Sequence, residues 1–383
     1  MFADGRRRWV AWAGVVALAL HLAALLVLGF ELRSVRAIEA VTGGWPQGVG
    51  IRFRADALGI VFALISSSVL FTAMLHEALR GVRSRAFPAL VLFLIAVGAI
   101  YHVTGTLDMR AIAIRFDDVE AASAIMIAVT VFVAFGVKLG LFPFHFWLPP
   151  LYTGARPAVA AILAGALANI GSYGLIRFGA GILPNELRFG SVVILLLGVA
   201  SIVYGSAQAL SRRAVGEVLA YSAIGQAGYI LVALAVGGPV GYAAAVLYSV
   251  VNALNKVLLF LAIGLRGWLV GAAFVVGGFS VAGVPPTAGF FAKIAMFQTG
   301  LAAERPVLIV ALIFVGSALS FVYMFQIYQH EYWRTEQVGP ESSRVRRAVV
   351  VALALVVVGL GVWPEPMLAL AQEAAAVLPG GRP

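Results

Sequence analysis

Three lysines stand in a chain whose other permanent cations are all arginines. Of 383 residues, 24 are arginine and only Lys138, Lys256 and Lys293 are lysine. Each lysine lies within or close to an apolar stretch long enough to cross a bilayer, whereas nearly every arginine lies between such stretches or at their ends. Arginine keeps its proton at any relevant pH; burial disfavours the charged form of lysine and lets it give a proton up. A proton relay needs the second behaviour. A lysine at the centre of a membrane helix costs about 2.5–3.5 kcal/mol on insertion scales. None of the 17 acidic residues falls mid-span to offset that cost, since Asp56, Glu77 and Glu217 sit near span ends. The lysines are therefore expected to be largely neutral, or held by water, amides and histidine. The competing expectation is snorkelling, in which a lysine near a span end reaches its head to the interface.

The backbone around the lysines carries weak points. Lys138 sits in a run from Gly136 through Gly140, Pro143 and His145 to Trp147. Glycine and proline beside an intramembrane charge predict a broken helix lining a wet cavity. His145 titrates near neutrality and is a candidate entry or exit group for a proton, or else an interfacial histidine beside Trp147. Lys293 follows Pro285-Pro286 and Gly289, and proline removes backbone bonds that a continuous helix needs. The run Phe132–Gly136 with Lys138 and Pro143 is echoed by Phe274–Gly278 with Pro285 and Lys293. The two lie five spans apart, and an odd offset predicts opposite orientation, as in a partial inverted repeat.

These features need a scaffold, and composition supplies it. Hydrophobic residues make up 62% of the chain and charged residues 11%, against roughly 25% charged in a soluble domain. Apolar blocks near the ~20 residues of a membrane helix predict an all-α polytopic bundle of about eleven spans. They are placed at 9–30, 55–77, 86–104, 121–145, 158–179, 187–209, 216–236, 239–264, 267–301, 306–328 and 346–363. No segment alternates with period two, which argues against a membrane barrel. Arg6–Arg8, Arg80–Arg85, Arg156, Arg212–Arg213 and Arg266 fall on alternate loops, which puts them on the cytoplasmic side. Arg334 and Arg344–Arg347 join them only if 267–301 is one interrupted crossing. The net charge of +10 then reflects arginines beside anionic lipid rather than nucleic-acid binding. The first span follows Arg6–Arg8 like a signal peptide, but its length and the lack of a small-residue cleavage site predict a retained helix. The stretch 364–380, with Met367, Leu368, Leu370 and Ala371, is expected to lie as an amphipathic helix at the surface. The whole, 1–383, reads as one transmembrane domain. It comprises N-terminal helices (9–104), a first lysine-bearing half (121–209), a second (216–328), and a C-terminal helix with an amphipathic tail (346–383).

Several motifs in fixed order resemble the antiporter-like membrane subunits shared by respiratory complex I, membrane-bound hydrogenases and Mrp-type multisubunit Na⁺/H⁺ antiporters, the D-type Mrp subunit most of all. Gly43-Gly44-Trp45-Pro46 through Gly50, with Asp56, is similar to the segment before that family's third helix. Lys138–Pro149 resembles its broken, lysine-bearing seventh helix, and Pro157–Arg177 its eighth. Leu219–Tyr229 is similar to its tenth-helix motif, Asn252–Gly264 to its His-x-x-x-Lys stretch, and Ala282–Lys293 to its broken twelfth. The resemblance covers about 40–383. Relative to the family's roughly fourteen helices, the first, fourth and fifth have no counterpart, and with the fifth goes the glutamate that pairs with the seventh-helix lysine. Asn169 stands where lysine is frequent, Asn252 where histidine is usual, and Gly216-Glu217 in place of a basic pair.

The resemblance implies a proton-translocating, or Na⁺/H⁺-exchanging, subunit of a multisubunit complex in the inner (plasma) membrane of a bacterium. Protons would follow a hydrated midplane path through Lys138, Lys256 and Lys293, with His145, Asn169, Asn252 and Tyr221 along it. The helix breaks would fall at Pro143, Pro285, Pro286 and Gly289. Its partners would be other membrane subunits, lipid, and H⁺ with Na⁺ as the alternative ion, without nucleic acid. No cofactor or metal motif is visible and there is no cysteine, so any redox chemistry belongs to partners. The alternative is a degenerate, non-conducting structural subunit, favoured by the missing glutamate and the asparagines. A self-standing membrane enzyme would need grouped acid–base or nucleophilic side chains, and none is found.

Overall fold

The computed structural model describes residues 8–32, 37–41, 52–78, 90–106, 108–333 and 344–379. The Gly43–Gly50 motif, Arg80–Arg85 and Arg334 lie outside the described residues. Helix occupies all eleven predicted stretches. In chain order they are α1 (Arg8–Glu31), α2 (Ala57–Ala78), α3 (Leu90–Thr104), the short α4 (Met109–Arg115), α5 (Ala121–Leu139), α6 (Leu148–Gly154), α7 (Pro157–Ala180) and α8 (Pro184–Phe189). Then come α9 (Ser191–Ser211), α10 (Val215–Val236), α11 (Gly238–Ala262), α12 (Trp268–Ala282), α13 (Ala288–Leu301), α14 (Pro306–Trp333), α15 (Arg344–Val362) and α16 (Glu365–Ala376). Seven of these, α5, α7, α9, α10, α11, α14 and α15, are individually long and apolar enough to cross a membrane. One feature escaped the hydropathy pattern. Strands β1 (Ala37–Val41) and β2 (Arg52–Asp56) pair antiparallel, with Ile38 opposite Ala55 and Ala40 opposite Phe53. Five residues are too few for alternation to stand out against apolar helices.

Two of the crossings are interrupted, and by the same device. Helix α5 stops at Gly140, which takes the left-handed conformation (φ 75°), and α12 stops at Gly283 (φ 86°). At each stop the glycine N–H and the next N–H turn back to carbonyls of the last turn. Gly140 and Leu141 both donate to Gly136 O, and Gly283 and Val284 both donate to Phe279 O. This pattern closes a helix by satisfying carbonyls of its last turn. Three residues beyond each glycine stands a proline after a cis bond, Pro143 and Pro286. The internal echo is thus real in the backbone, but shifted by one residue from the sequence match: Gly140 corresponds to Gly283, where the sequence paired Gly136 with Gly278. Lys138 precedes its break and Lys293 follows its own, so the two lysines are not equivalent by position.

The second break is held closed by close approach. Gly289 N–H donates to Ser280 Oγ (3.0 Å), and a Cβ on Gly289 would run into the Ser280 backbone. On the other side, Gly361 of α15 lies against Pro286 and Thr287 with no room for a side chain. Overpacking at such points costs about 1–3 kcal/mol. Gly289→Ala is therefore expected to lower the thermal midpoint in detergent by several degrees, read as the loss of the monodisperse gel-filtration peak after heating.

The core is densest around α10 and α11, whose side chains are buried almost throughout. These two helices are apolar over most of their circumference, as expected for helices surrounded by protein. The C-terminal helix departs from expectation. In α16, Met367, Ala371, Ala374 and Ala375 are buried, with Leu378 just beyond its end, and the helix packs on α2 and α11. Its apolar stripe is thus spent on the bundle; Leu370 alone of the four residues singled out from the sequence is exposed.

Candidate functional site

Polar side chains at helical spacing on three helices, two of them buried almost throughout and the third presenting one buried face, converge around Lys256 and Lys293. On α10, Ser222 and Gln226 are four apart; on α14, Ser320 and Tyr323 are three apart; on α11, Tyr248, Asn252, Asn255 and Lys256 follow at four, three and one. Lys256 has no exposed surface, and its Nζ donates to Ser222 Oγ at 2.8 Å. Ser222 Oγ shares a hydrogen bond with Tyr323 OH (3.0 Å), and Tyr323 OH donates to Ser320 Oγ (3.0 Å). Gln226 Nε2 donates to Tyr323 OH (3.2 Å) and Ser320 Oγ (3.3 Å), while its Oε1 accepts from Tyr248 OH. The Tyr248 ring centre lies 5.2 Å from Lys293 Nζ. One connected set of hydroxyls and one amide therefore leads from the first amine to the neighbourhood of the second.

Lys293 is 3% exposed and makes no hydrogen bond; its Nζ sits 3.4 Å above the centre of the Tyr229 ring. Both lysines are thus enclosed by protein, which is not the surroundings of a snorkelling side chain. No carboxylate pairs with a lysine among the described residues. Beside Gln226 and Tyr248 a narrow polar cavity, with room for about one water molecule, is lined also by Asn252, Asn255 and Ser280. The Oδ1 atoms of Asn252 and Asn255 are buried without a protein partner. A polar space with unsatisfied acceptors is where water settles.

The first half is arranged differently. Lys138 is half-buried at the end of α5 and makes no hydrogen bond or ion pair with a described residue. Helix α7 links it to the second half. Gly171 of α7 touches the backbone of Phe135 and Leu139, beside Lys138, and Gly165 fits against Val257, beside Lys256. Asn169 lies between those two contacts, buried, with its Nδ2 unpartnered. Two π-helical stretches, Leu163–Leu167 and Leu175–Ala180, flank it; such bulges are frequent at functional sites. His145 is buried in the turn after α5, its Nδ1 unpartnered and its ring 4.6 Å from that of Tyr204. Tyr204 meets Tyr221 at 6.1 Å, and Tyr221 carries the Arg212 guanidinium over its ring (5.2 Å). His145 and Tyr221 thus share an aromatic cluster, and Tyr221 makes no hydrogen bond to the Lys256 network. The turn is fixed by Phe142 N–H to Ser201 Oγ (3.2 Å) and by Trp147 Nε1–H to Val137 O (2.8 Å).

Sequence reasoning missed Ser222, Gln226, Tyr248, Asn255, Ser320 and Tyr323 as members of the site. The available signal was their recurrence at three and four residues inside otherwise apolar helices. Among the described residues no cluster of three histidines or carboxylates suits a metal ion.

The described residues thus form a helical membrane bundle with two broken crossings and two buried amines. The chain matches the NADH:quinone oxidoreductase/Mrp antiporter transmembrane family over residues 82–267 and 266–320, and it belongs to that family. It is 29% identical over 341 residues to the D-type subunit of a Na(+)/H(+) antiporter of Alkalihalophilus pseudofirmus, covering 82% of this chain and 69% of the relative. It is 30% identical over 321 residues to the N-type subunit of F(420)H(2) dehydrogenase of Methanosarcina mazei, covering 75% of this chain and 64% of that one. The chain thus spans about two thirds of the length of these relatives. Its fold matches a chain of the Mrp complex from Dietzia sp. DQ12-45-1b with a TM-score of 0.85 at 22% identity, over 98% of this chain and 93% of the other. A chain of the membrane-bound sulfane sulfur reductase, an archaeal respiratory membrane complex, matches at 0.81 and 20% identity, over 95% and 91%.

Proposed function

We propose that the chain moves protons across a bacterial inner (plasma) membrane as one member of a multisubunit complex, with Lys256 and Lys293 as its two central proton carriers. The observation that supports this most is the hydrogen-bonded run Lys256–Ser222–Tyr323–Gln226–Tyr248, whose last ring lies 5.2 Å from Lys293 Nζ. Hydroxyls both donate and accept, so a proton can enter one side of each and leave the other. The Gln226 amide does not titrate, so the proton passes it on water held in the narrow polar space beside Gln226, Tyr248, Asn252 and Asn255. Lys138, Asn169 and the His145–Tyr204–Tyr221 cluster form the first half of the path, with α7 joining the halves at Asn169. Neighbouring membrane proteins of the complex dock on the flanks, and the transported ion is H⁺ alone or H⁺ exchanged for Na⁺.

The test is proton flux into liposomes holding the purified full-length chain. Flux above protein-free liposomes is expected, with loss of at least about tenfold in Lys256→Ala and in Lys293→Ala, a loss equal to ~1.4 kcal/mol of barrier. Equal flux in wild type and both variants defeats this reading. It would leave the non-conducting structural subunit, for which the unpaired Lys138 already speaks.

A further inference from the structure

We propose that the ring of Tyr229 is the charge partner of Lys293, holding its ammonium by the aromatic face where a carboxylate would otherwise stand. Tyr229 is then a positioning residue for proton transfer; this rests on the reading of Lys293 as a proton carrier. The geometry is direct. Lys293 Nζ lies 3.4 Å from the centre of the Tyr229 ring. In the ring plane that distance would overlap the ring's own hydrogens, so the amine stands over the face. The Tyr248 ring centre is 5.2 Å from the same atom, inside the ~6 Å over which a cation is drawn to an aromatic ring. The two rings lie 5.1 Å apart, inclined by 33°. A ring face attracts an ammonium far more than a neutral amine, so the contact is made when the proton is loaded and weakened when it leaves.

Both partners are fitted to the place. The stem of Lys293 crosses Gly283, the left-handed residue that stops α12, and a Cβ there would overlap Lys293 Cγ. The far end of Tyr229 abuts Gly316 of α14, where a Cβ would meet its hydroxyl. One glycine aims the amine and the other seats the ring. No other partner competes: Lys293 Nζ makes no hydrogen bond, and among the described residues no carboxylate pairs with a lysine. Both side chains are buried, and a cation is drawn to a ring most strongly where water is excluded. Tyr229 is also outside the hydrogen-bonded run from Lys256 to Tyr248, so changing it removes no member of that run.

The experiment replaces residue 229 of the full-length chain by phenylalanine and by phenylalanines carrying one, two and three ring fluorines. Fluorine draws charge from the ring face and nearly keeps its shape, so the series weakens the cation–π contact rather than the packing. Because the chain has three lysines, labelling lysine Cε gives three magnetic resonance signals, which Lys138→Arg and Lys256→Arg assign. The Lys293 signal is expected to be displaced upfield by the ring current in wild type and in Tyr229→Phe, and less so with each fluorine. In liposomes Tyr229→Phe is expected to keep proton flux within about threefold of wild type, and the trifluorinated form to fall about tenfold below Tyr229→Phe. Tyr229→Leu, which has no ring face, is expected to lose the displacement and about tenfold in flux; where it fails to fold, the fluorine series stands in its place. An undisplaced Lys293 signal in wild type overturns the proposal, as does a displacement or flux indifferent to fluorine, which would leave Tyr229 as packing alone. Absence of flux in wild type defeats the proton-carrier reading instead, and the signal's response to fluorine then decides the charge contact by itself.

Discussion

Replacing Gln226 by leucine is expected to stop proton flux as completely as removing Lys256 does. Gln226 is the member through which three helices meet: its Nε2 donates to Tyr323 and Ser320 of α14, and its Oε1 accepts from Tyr248 of α11. Leucine has similar volume but neither group. It leaves the buried Tyr248 hydroxyl without its acceptor, and a buried polar group left unpaired costs about 1–3 kcal/mol. The same substitution removes one polar group from the wall of the adjoining cavity, and water stays in a cavity only where it finds polar partners. Both effects fall between the two amines, so the flux loss is expected to reach at least about tenfold, or ~1.4 kcal/mol of barrier. A merely structural role is separated by two controls. Gln226→Glu keeps an acceptor for Tyr248 and is expected to retain measurable flux. Thr130→Val, on α5 with its hydroxyl bonded to Met126 O of the same helix, is expected to stay within about twofold of wild type in the initial rate. The measurement is the initial rate of internal acidification in liposomes under an imposed potential, at matched protein content. Full flux in Gln226→Leu would mean that protons pass between the lysines by another route.

What the sequence disclosed divides along physical lines. Span positions were legible because hydrocarbon imposes both length and apolarity on a crossing, and the eleven stretches and their helices differ by only a few residues. The breaks were legible because glycine and proline have few other uses beside a lysine in mid-membrane, and both fall at Gly140–Pro143 and Gly283–Pro286. Lys256 and Lys293 stood out by rarity alone, and their burial follows from where they stand in α11 and α13. Their partners did not stand out. Serine, tyrosine and glutamine are unremarkable in membrane helices, where they bond across interfaces anyway. Nothing local tells that Ser222 meets Tyr323, about a hundred residues away. Tyr221 was singled out in place of its neighbour Ser222 because a motif gives positions and not the face of the helix. One step along an α-helix is about 100° of rotation, enough to turn Tyr221 to Tyr204 and Ser222 to Lys256. The amphipathic stripe of α16 was legible as a stripe, but amphipathicity does not say whether lipid or protein covers it.

The same separation of local and long-range information applies to the N-terminal half, where Asp56 reads as a polar residue at a span end. In the fold it is 2% exposed, and its Oδ1 accepts from Arg177 Nη2 of α7 at 2.5 Å, tying α2 to the helix that carries Asn169. The same oxygen accepts from Gly59 N–H (2.9 Å), capping the first turn of α2. Arg177 has a second support, donating Nε–H to Tyr173 OH (3.2 Å). Removing one partner of a buried ion pair costs about 3–5 kcal/mol, because the survivor is left charged and unpaired; the lost cap adds about 1 kcal/mol. Asp56→Ala is therefore expected to be among the most destabilising single substitutions in the chain, lowering its thermal midpoint by ten degrees or so by the usual scaling. Asp56→Asn keeps the cap oxygen and loses only the charge, so it should recover the smaller part. Adding Arg177→Met to Asp56→Asn removes the stranded cation as well, and the double variant is expected to return to within about 1–2 kcal/mol of wild type, since apolar replacement of a buried pair is often neutral. Because the chain has no cysteine, thiol-reactive dyes report nothing here, and tryptophan fluorescence during heating in detergent is the suitable readout. A double variant no more stable than Asp56→Ala would show that the Arg177 charge is held by something other than Asp56.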